Sequence, residues 1–395
     1  MTRPGGRFGQ GREVVIVEAA RTPIGRGHRE KGYYRDVHPN ELLGHALQAV
    51  IDRSGIDPAI VENSLTGCVQ QIGEQQSNIA RNGWLQAGLP MGTPCATIDS
   101  QCGSAQLAVN WGASLISSGA HDVVVGSGVE HMGRLPFEVG FETSDKYGTP
   151  WPAEFMDHYA ITSQGVAADA IAENWDLPRE RLDEWALQSH QRAAQATQEG
   201  RFEREVVPFN VGGETLVRDQ GIRDDATLEA IAGLKPVFSP EGPTTAATSS
   251  QVSDGAAAVL MTTPEKAADL GLKARARIYD HLSIGSDPIL MLTGPIPATK
   301  AILERNGMTI DDVDLVEINE AFAAVTAAWE KELSPDMDRV NVNGGAMALG
   351  HPVGSTGARL VTTLLHEMER SDKQMGLVTM CCGGGLGTAT LIERV

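Results

Sequence analysis

The sequence predicts an α/β protein made of two similar halves, with a subdomain inserted into the first half. Short β-branched runs alternate with amphipathic helical patterns before residue 132 and again after residue 252, and such alternation is typical of α/β folds. The second region repeats the first at a constant offset of 252 residues, which indicates a duplication. Residues 132–252 interrupt the alternation and predict a separate subdomain.

The first half contains strands and helices in regular alternation. The predicted elements are a strand at Val14–Val17, a turn at Arg21–Gly25, a helix at Glu41–Arg53, a strand near Leu65–Val69, helices at Asn78–Ala87 and Gly103–Ser118, and a strand at Asp122–Gly126. Gly55 and Gly119 stand where glycine commonly ends a helix. Helices between successive strands predict a largely parallel sheet.

The inserted segment changes character along its length. Met132–Ser163 carries prolines, glycines and scattered aromatic residues without a period, so we expect a long excursion or loop. Gly165–Trp175 and Arg179–Gln198 have helical spacing, and polar, loop-rich sequence continues to Ser250. Unstructured loops longer than about 15 residues are uncommon in compact domains. The predicted domains are therefore residues 13–131 with 253–276, the inserted residues 132–252, and residues 277–395.

Matching residues define the internal repeat. Arg53-Ser54-Gly55 is matched by Arg305-Asn306-Gly307, and the predicted helix after Cys102 overlays Ser355–Arg370. Few residues are identical, but the offset persists through helix, turn, helix and strand. The helix-start loops at Cys102 and at His351–Gly354 would then face each other across a pseudo-two-fold axis, which brings distant residues into one site.

Composition excludes several classes of protein. The formal net charge of −19 argues against nucleic acid or an anionic membrane as a partner, and no apolar segment is long enough to span a bilayer. Five cysteines without framework spacing indicate a reducing compartment, so we expect a cytoplasmic protein. Met1–Arg12 is basic and glycine-rich without an apolar core, and is interpreted as a loose leader rather than a secretory signal.

Cys102 is the first candidate functional residue. Small and polar residues from Asp99 to Ser104 run into a helical pattern, so Cys102 lies at or just before the first turn of a helix. Unpaired N–H groups and the positive end of the helix dipole favour a thiolate there, so we expect a pKa below the ordinary value of about 8.5. The alternative is a buried cysteine that acts as a small apolar residue.

Three later segments carry further candidate groups. They are Asn319-Glu320 after a buried strand, His351 between Gly350 and Pro352, and Cys381-Cys382 before the glycine run Gly383–Gly385. Each has a structural alternative: a turn or cap, a core histidine, and a flexible turn. The glycine run fits neither common nucleotide-binding spacing, and without a Cys-x-x-Cys pair or a histidine cluster no metal site is predicted. Together, two thiols, an imidazole and donor-rich loops provide what acyl transfer through a thioester requires.

With these motifs in order, the sequence resembles the thiolases, acyl-CoA acetyltransferases, from about Val14 to the C-terminus. The stretch around Cys102 resembles the nucleophile motif of that family, and Asn319–Phe322, Gly350–Pro352 and Cys381–Gly385 match its other three motifs. The resemblance implies a duplicated, five-layered αβαβα fold with a loop domain over the active site.

The resemblance also implies a role for each catalytic candidate. Cys102 would be the nucleophile that carries the acyl group, and His351 would take its proton. His351, with a water held by Asn319, would form one oxyanion hole, and the N–H groups of Cys102 and Gly383 would form the second. Cys381 would be the acid and base for the acetyl carbon and the CoA sulfur. Cys382 falls on a variable position and receives no catalytic role.

Coenzyme A is implied as a substrate, with no tightly bound cofactor. By the resemblance, Arg223 would contact the adenine, Ser250 the pantetheine and Met291 the acyl group. Thiolases are usually homodimers or homotetramers, and Met132–Ser163 is a candidate contact between dimers. Two departures concern CoA binding: Ser163 stands where many biosynthetic members have histidine, and Thr248–Gln251 replaces the usual Asn-Ala-Ser-Gly.

The predicted reaction is thiolytic cleavage of a 3-oxoacyl-CoA to acetyl-CoA and a shortened acyl-CoA, or the reverse Claisen condensation. The departures favour a degradative enzyme of the fatty-acid β-oxidation type, acting on substrates bulkier than acetoacetyl-CoA. One alternative is a ketoacyl-synthase-like condensing enzyme, which would carry histidine in place of Asn319 and lack the second catalytic cysteine. Another is an inactive acyl-CoA-binding scaffold, against which the four intact motifs argue.

Overall fold

The structure is a computed structural model that describes residues 11–395 of the 395-residue chain. Residues 1–10 of the predicted leader lie outside this range, whereas Arg12 is described and pairs with Asp122 at 2.6 Å. The strands are β1 (Val15–Arg21), β2 (Gly25–Arg26), β3 (Asn63–Gly67), β4 (Cys95–Ile98), β5 (Val123–His131), β6 (Phe209–Val211), β7 (Glu214–Leu216), β8 (Ser253–Thr262), β9 (Ala276–Gly285), β10 (Leu315–Ile318), β11 (Met375–Cys382) and β12 (Leu386–Arg394).

The helices occupy the segments between these strands. They are α1 (Pro39–Ser54), α2 (Ile79–Gln86), α3 (Ser104–Ser117), α4 (Glu138–Tyr147), α5 (Ala153–His158), α6 (Gln164–Asn174), α7 (Arg179–Gln198), α8 (Leu228–Ala232), α9 (Pro264–Asp269), α10 (Pro295–Arg305), α11 (Ala323–Leu333), α12 (Ala346–Leu349) and α13 (Thr356–Ser371). No helix within residues 11–395 is long and apolar enough to cross a membrane.

The strands of the two halves pair in the same order. The first half has the order β1-β8-β5-β3-β4, and the second has β9-β12-β11-β10, to which Val340 adds a single bridge beside Val316. Three equivalent pairs of elements begin 252 residues apart: β3 and β10, α3 and α13, and β5 and β11. β1 pairs with β9 through Val15 and Ile16, which joins the two halves edge to edge. The predicted duplication is confirmed.

The sheet is mixed, so the prediction of a largely parallel sheet is wrong. Among the strands of residues 11–395, only the pairs β3–β4, β3–β5 and β10–β11 are parallel. The four pairs that involve β8 or β12 with β1, β5, β9 and β11 are antiparallel. The cause is a hairpin, which needs no crossover helix. β11 returns directly into β12 through Gly383–Gly385, and residues 132–252 occupy the same hairpin position between β5 and β8.

The helices form three layers around the two halves of the sheet. α1 and α2 cover the first half, and α10 with its neighbour α11 covers the second. α3 and α13 lie between the halves, in contact with each other and with strands of both. The two central helices approach closely at Gly357, where an added methyl group would lie 2.2 Å from the backbone nitrogen of Gln106. This is the predicted αβαβα order.

Local signals placed several helix ends correctly. α1 ends before Gly55, which has a φ of 71° in the left-handed region, and the Asn78 side chain caps α2 by accepting from the N–H of Arg81. The prediction of a loop over Met132–Ser163 is wrong in part, because α4 and α5 lie within it. α5 buries none of its side chains, so it lacks the apolar stripe by which periodicity detects a helix.

A buried ion network joins the inserted segment to β1. Arg21 donates through Nε to Glu205 at 2.6 Å and through its two Nη atoms to the carboxylate of Asp219 at 2.7 and 2.9 Å. All three side chains are 1% exposed. Because buried charges are tolerated only when they are paired, the network fixes this part of the inserted segment against the first half.

Candidate active site

Cys102 lies in a tight loop between β4 and α3, two residues before the helix begins, as predicted. The Ser100 N–H donates to the Ser104 hydroxyl at 2.9 Å, and that hydroxyl donates to the Gln101 carbonyl at 2.5 Å. The Gln101 N–H donates to the Asp99 carboxylate at 2.8 Å. Gln101 has a φ of 51°, in the left-handed region that residues other than glycine seldom adopt. The loop therefore holds Cys102 in one fixed conformation.

The Cys102 thiol is protonated at rest, so the prediction of a lowered pKa is wrong. Burial, which leaves the residue 3% exposed, raises its pKa to about 11. The N–H groups of Gly383 and of Cys102 itself act in the opposite direction, and the charges of Asp99 and Glu130 add to the increase. The sequence indicated the helix start but gave no measure of desolvation, which disfavours the charged thiolate. A base must therefore remove the proton when the thiol reacts.

The glycine loop and the second thiol lie beside Cys102. Gly383 directs its N–H towards the Cys102 sulfur. Burial, together with the nearby Cys102, raises the pKa of the Cys381 thiol well above its usual range. Cys382 packs against Gly103, where an added methyl group would lie 2.6 Å from the Cys382 sulfur. The structure thus brings Cys102, Cys381 and Gly383 together, and Cys382 fills space next to them.

His351 lies between α12 and α13, and its ring is fixed through Nδ1. This nitrogen is 2.6 Å from the Thr356 hydroxyl, which donates to the Pro352 carbonyl at 2.9 Å. A Thr356 hydroxyl that donates to Pro352 and an Asn319 amide nitrogen that faces Nε2 at 3.3 Å both fit the tautomer with the ring proton on Nδ1 and the lone pair on Nε2. Burial and the Arg359 guanidinium lower the pKa of His351 to about 3, so the ring is neutral at pH 7. A neutral imidazole with a lone pair on Nε2 can accept a thiol proton.

Asn319 places its side-chain amide against His351. Its Nδ2 lies 3.3 Å from Nε2 of His351, and its Oδ1 is buried without a hydrogen-bond partner in residues 11–395. The backbone N–H of Asn319 donates to the Thr379 carbonyl at 3.0 Å, which connects the end of β10 to the strand that carries Cys381. The His351 loop also packs in the same buried cluster as Cys102, through Val353.

Glu320, the neighbour of Asn319, stabilises the short helix α12 that precedes His351. Its carboxylate accepts from the Ser189 hydroxyl at 2.6 Å, the Asn341 amide at 2.9 Å and the Met347 N–H at 3.2 Å. These bonds fix α12, which leads directly into His351. In the Asn-Glu pair, Asn319 therefore contacts His351 in the site, and Glu320 stabilises the helix that precedes His351.

Two supporting residues were missed by the sequence reasoning. One is Thr356, and the other is Glu130 near the end of β5. Glu130 accepts the N–H groups of Val69 and Gln70 at 2.9 and 3.1 Å, and it also faces the N–H of Gly354 on the His351 loop. It therefore links the loop after β3 to the loop that carries His351. The available signal was a glutamate inside an apolar strand, but nothing local indicated its distant partners.

The three residues predicted to contact CoA lie in different environments. Arg223 is exposed, and its guanidinium makes no ion pair within residues 11–395, while its N–H donates to His190 at 3.2 Å. The Ser250 N–H donates to the Ala321 carbonyl at 2.9 Å, two residues beyond Asn319. Met291 is 3% exposed and packs in the same cluster as Cys381.

No group of three or more His, Cys, Asp or Glu residues in the described range is arranged to hold a metal ion.

Fold and site together define a class of protein: a duplicated α/β acyltransferase with paired thiols. A family model described as the thiolase N-terminal domain matches residues 14–265, and one described as the thiolase C-terminal domain matches residues 272–394. The chain therefore belongs to the thiolase family.

Relatives and a solved structure agree with this family. The steroid 3-ketoacyl-CoA thiolase FadA6 of Mycobacterium tuberculosis is 43% identical over 389 residues, which cover 97% of this chain and 94% of that protein. The 3-ketoacyl-CoA thiolase of Photorhabdus laumondii is 43% identical over 396 residues, covering 97% and 99%. The crystal structure of the Bacillus anthracis acetyl-CoA acetyltransferase has a TM-score of 0.88 at 36% identity, covering 98% of this chain and 99% of that one.

Proposed function

We propose that this thiolase cleaves 3-oxoacyl-CoA by thiolysis and carries the acyl group on Cys102. One observation carries the proposal: the Cys102 sulfur faces the N–H of Gly383 with the Cys381 thiol beside it. A neutral His351, whose Nε2 lone pair faces the Asn319 amide at 3.3 Å, supplies the base. The names of the relatives, which are 3-ketoacyl-CoA thiolases, support the same reaction.

In the first half-reaction, the Cys102 proton moves to Nε2 of His351, and the sulfur attacks the 3-oxo carbon. The bond between carbons 2 and 3 breaks, its electron pair stays on carbon 2, and Cys381 protonates that carbon. Acetyl-CoA then leaves. The N–H groups of Cys102 and Gly383 stabilise the oxyanion on carbon 3, while the His351 imidazolium and a water held by Asn319 stabilise the thioester oxygen of the departing acetyl group.

In the second half-reaction, the thiol of free CoA gives its proton to the Cys381 thiolate and attacks the acyl carbon on Cys102. The bond from Cys102 to the acyl group breaks, and His351 returns the proton to Cys102. Claisen condensation uses the same groups in reverse. Each proton has one donor and one acceptor, so no further acid or base is needed.

The CoA contacts are proposed from exposure and position. The exposed guanidinium of Arg223, which makes no ion pair within residues 11–395, suits the adenine end. Ser250 near the catalytic loops suits the pantetheine, and the buried Met291 suits the acyl pocket. The unusual loop Thr248–Gln251 supports a degradative role on acyl groups larger than acetyl. CoA acts as a substrate, and we propose no tightly bound cofactor.

Assembly and compartment are further parts of the proposal. We propose a homodimer or homotetramer in which Met132–Ser163 contributes contacts, because Tyr147, Trp151 and Tyr159 are exposed there and aromatic residues are enriched at interfaces. Five free cysteines fit a reducing compartment such as the cytoplasm. Sedimentation of the Trp151→Glu variant beside the wild type tests the assembly.

The catalytic proposal is tested by intact-mass measurement after incubation with acetoacetyl-CoA and longer 3-oxoacyl-CoAs. Wild type is expected to acquire an acyl adduct and Cys102→Ala none, while Cys381→Ala accumulates the adduct from an acyl-CoA donor without releasing it to CoA. Cys95→Ala is the matched control, since the Cys95 thiol interacts with the Thr93 carbonyl at 3.6 Å and with the Arg81 side chain, and neither residue is a catalytic candidate. Absence of any adduct would favour the inactive scaffold, and a fully active Cys381→Ala would refute the acid role.

A further inference from the structure

Two glutamine side-chain amides lie next to Gly383, at the start of the glycine run Gly383–Gly385. A methyl group added to Gly383 would lie 3.0 Å from Nε2 of Gln164 and 3.2 Å from Oε1 of Gln101. Gln101 comes from the nucleophile loop, whereas Gln164 is the first residue of α6 in the inserted segment. The amides therefore reach the same point from two separate elements, next to the residue whose N–H faces the Cys102 sulfur.

Both amides lie beside Gly383 without a hydrogen-bond partner in residues 11–395. Neither side chain makes a hydrogen bond to another group in residues 11–395, and both residues are partly exposed. A glutamine amide offers two N–H donors and a carbonyl acceptor. Two such groups beside Gly383 therefore retain their full capacity to bind a ligand.

The backbone that carries each amide is fixed by its surroundings. Gln101 sits at a φ of 51° in the constrained nucleophile loop, which sets the direction of its Cα–Cβ bond. The first turn of α6 lies flush on Phe238, because a methyl group at Gly165 would overlap that ring at 2.1 Å. Phe238 in turn meets Phe322 edge to face, with ring centres 5.9 Å apart. The Gln164 position is therefore coupled to the segment that carries Asn319.

An unbranched alkyl chain would leave these amides without partners, whereas an oxygen on the acyl chain would bind them. Sites built to hydrogen-bond a substrate group discriminate strongly against analogues that lack it. The acidic groups that act on Cys102 are Asp99 and Glu130, and their negative charge disfavours a carboxylate nearby. A neutral oxygen suits both the amides and this charge.

We propose that Gln101 and Gln164 form a polar acyl subsite that selects 3-oxoacyl-CoAs bearing a neutral hydroxyl or keto oxygen on the acyl chain. The inference rests on the proposed thiolysis at Cys102. It adds a substrate class, because it assigns the acyl tail a hydrogen-bonding group within a few carbons of the thioester.

The test compares thiolysis of 3-oxooctanoyl-CoA with its 5-, 6- and 7-hydroxy derivatives and with 3-oxooctanedioyl-CoA, each followed as kcat/KM. Wild type is expected to favour at least one hydroxylated substrate by tenfold or more over the alkyl parent. Gln164→Leu and Gln101→Leu are each expected to lower that ratio by about tenfold. Gln198→Leu, an exposed glutamine at the end of α7, is the matched control and should keep the wild-type ratio.

Several results would overturn the subsite. A wild-type preference for the alkyl parent, or a hydroxyl preference that survives both glutamine variants, removes it. A preference for the dicarboxylic substrate removes the assignment of a neutral oxygen. If acetoacetyl-CoA is turned over but no such preference exists, only the subsite fails. If no substrate forms an adduct on Cys102, the proposed thiolysis fails and the subsite fails with it.

Discussion

The hydroxyl of Thr356 lies 2.6 Å from Nδ1 of His351 and donates its own proton to the Pro352 carbonyl. This bond leaves Nε2 as the only basic nitrogen of the ring, on the side that meets Asn319. Since the ring is buried and neutral, its tautomer decides whether it can act as a base. The first turn of α13 thus sets the chemistry of a residue five positions earlier.

Thr356→Val is expected to lower the rate of Cys102 acylation by about 10- to 100-fold, by analogy with the hydrogen-bond partners that orient metal-binding histidines. Valine has the shape of threonine but leaves Nδ1 without its acceptor, so the wrong tautomer becomes accessible. Single-turnover acylation followed by intact mass measures the effect. Thr356→Ser should retain most of the rate, and a fully active valine variant would contradict the role of the hydroxyl.

Alkylation of Cys102 by iodoacetamide is expected to accelerate by about tenfold per pH unit between pH 7 and 10, because only the thiolate reacts. The thiol has a raised pKa of about 11, so the thiolate fraction keeps rising throughout this range. The rate is measured by intact mass against a free cysteine derivative, which should level off earlier. A plateau for Cys102 below pH 8 would show that the thiolate is already formed at rest.

Gly357→Ala is expected to lower the free energy of unfolding by about 1–3 kcal/mol, the usual cost of overpacking a close contact. Alanine favours a helix over glycine, but the added methyl group would meet the Gln106 backbone at 2.2 Å. Gly92→Ala is the control, because no atom of the described residues lies within 4 Å of the added methyl group. Urea unfolding measures both, and a stabilised Gly357→Ala would mean that α3 and α13 are not in tight contact.

Arg21→Ala is expected to destabilise the chain by about 3–5 kcal/mol, since it leaves Glu205 and Asp219 buried without their cation. Urea unfolding and soluble yield are the measurements. Arg35→Ala removes an ion pair to Asp36 whose arginine side chain is 47% exposed, and should change stability by under about 1 kcal/mol. Equal losses in the two variants would argue against a structural role for the buried network.

Local features of the sequence predicted much of the fold because they act over a few residues. Gly55 ends α1 and Asn78 caps α2 as their types suggest. The predicted internal repeat is also confirmed, since β3 and β10 begin at the predicted offset of 252 residues. The parallel sheet failed for a non-local reason: β8 and β12 return as hairpin partners, and pairing direction depends on how the chain comes back rather than on either strand alone.

The sequence by itself determined which groups are present and in what order: a cysteine before a helix, an asparagine after a strand, a histidine in a glycine-proline turn and a thiol before a glycine run. The tertiary structure alone decided their chemical state. Burial reversed the expected pKa shift of Cys102, Thr356 fixed the proton on His351, and α6 brought Gln164 to Gly383. Residue type is a local property, whereas desolvation and hydrogen-bond partners depend on chain segments that meet only when the protein folds.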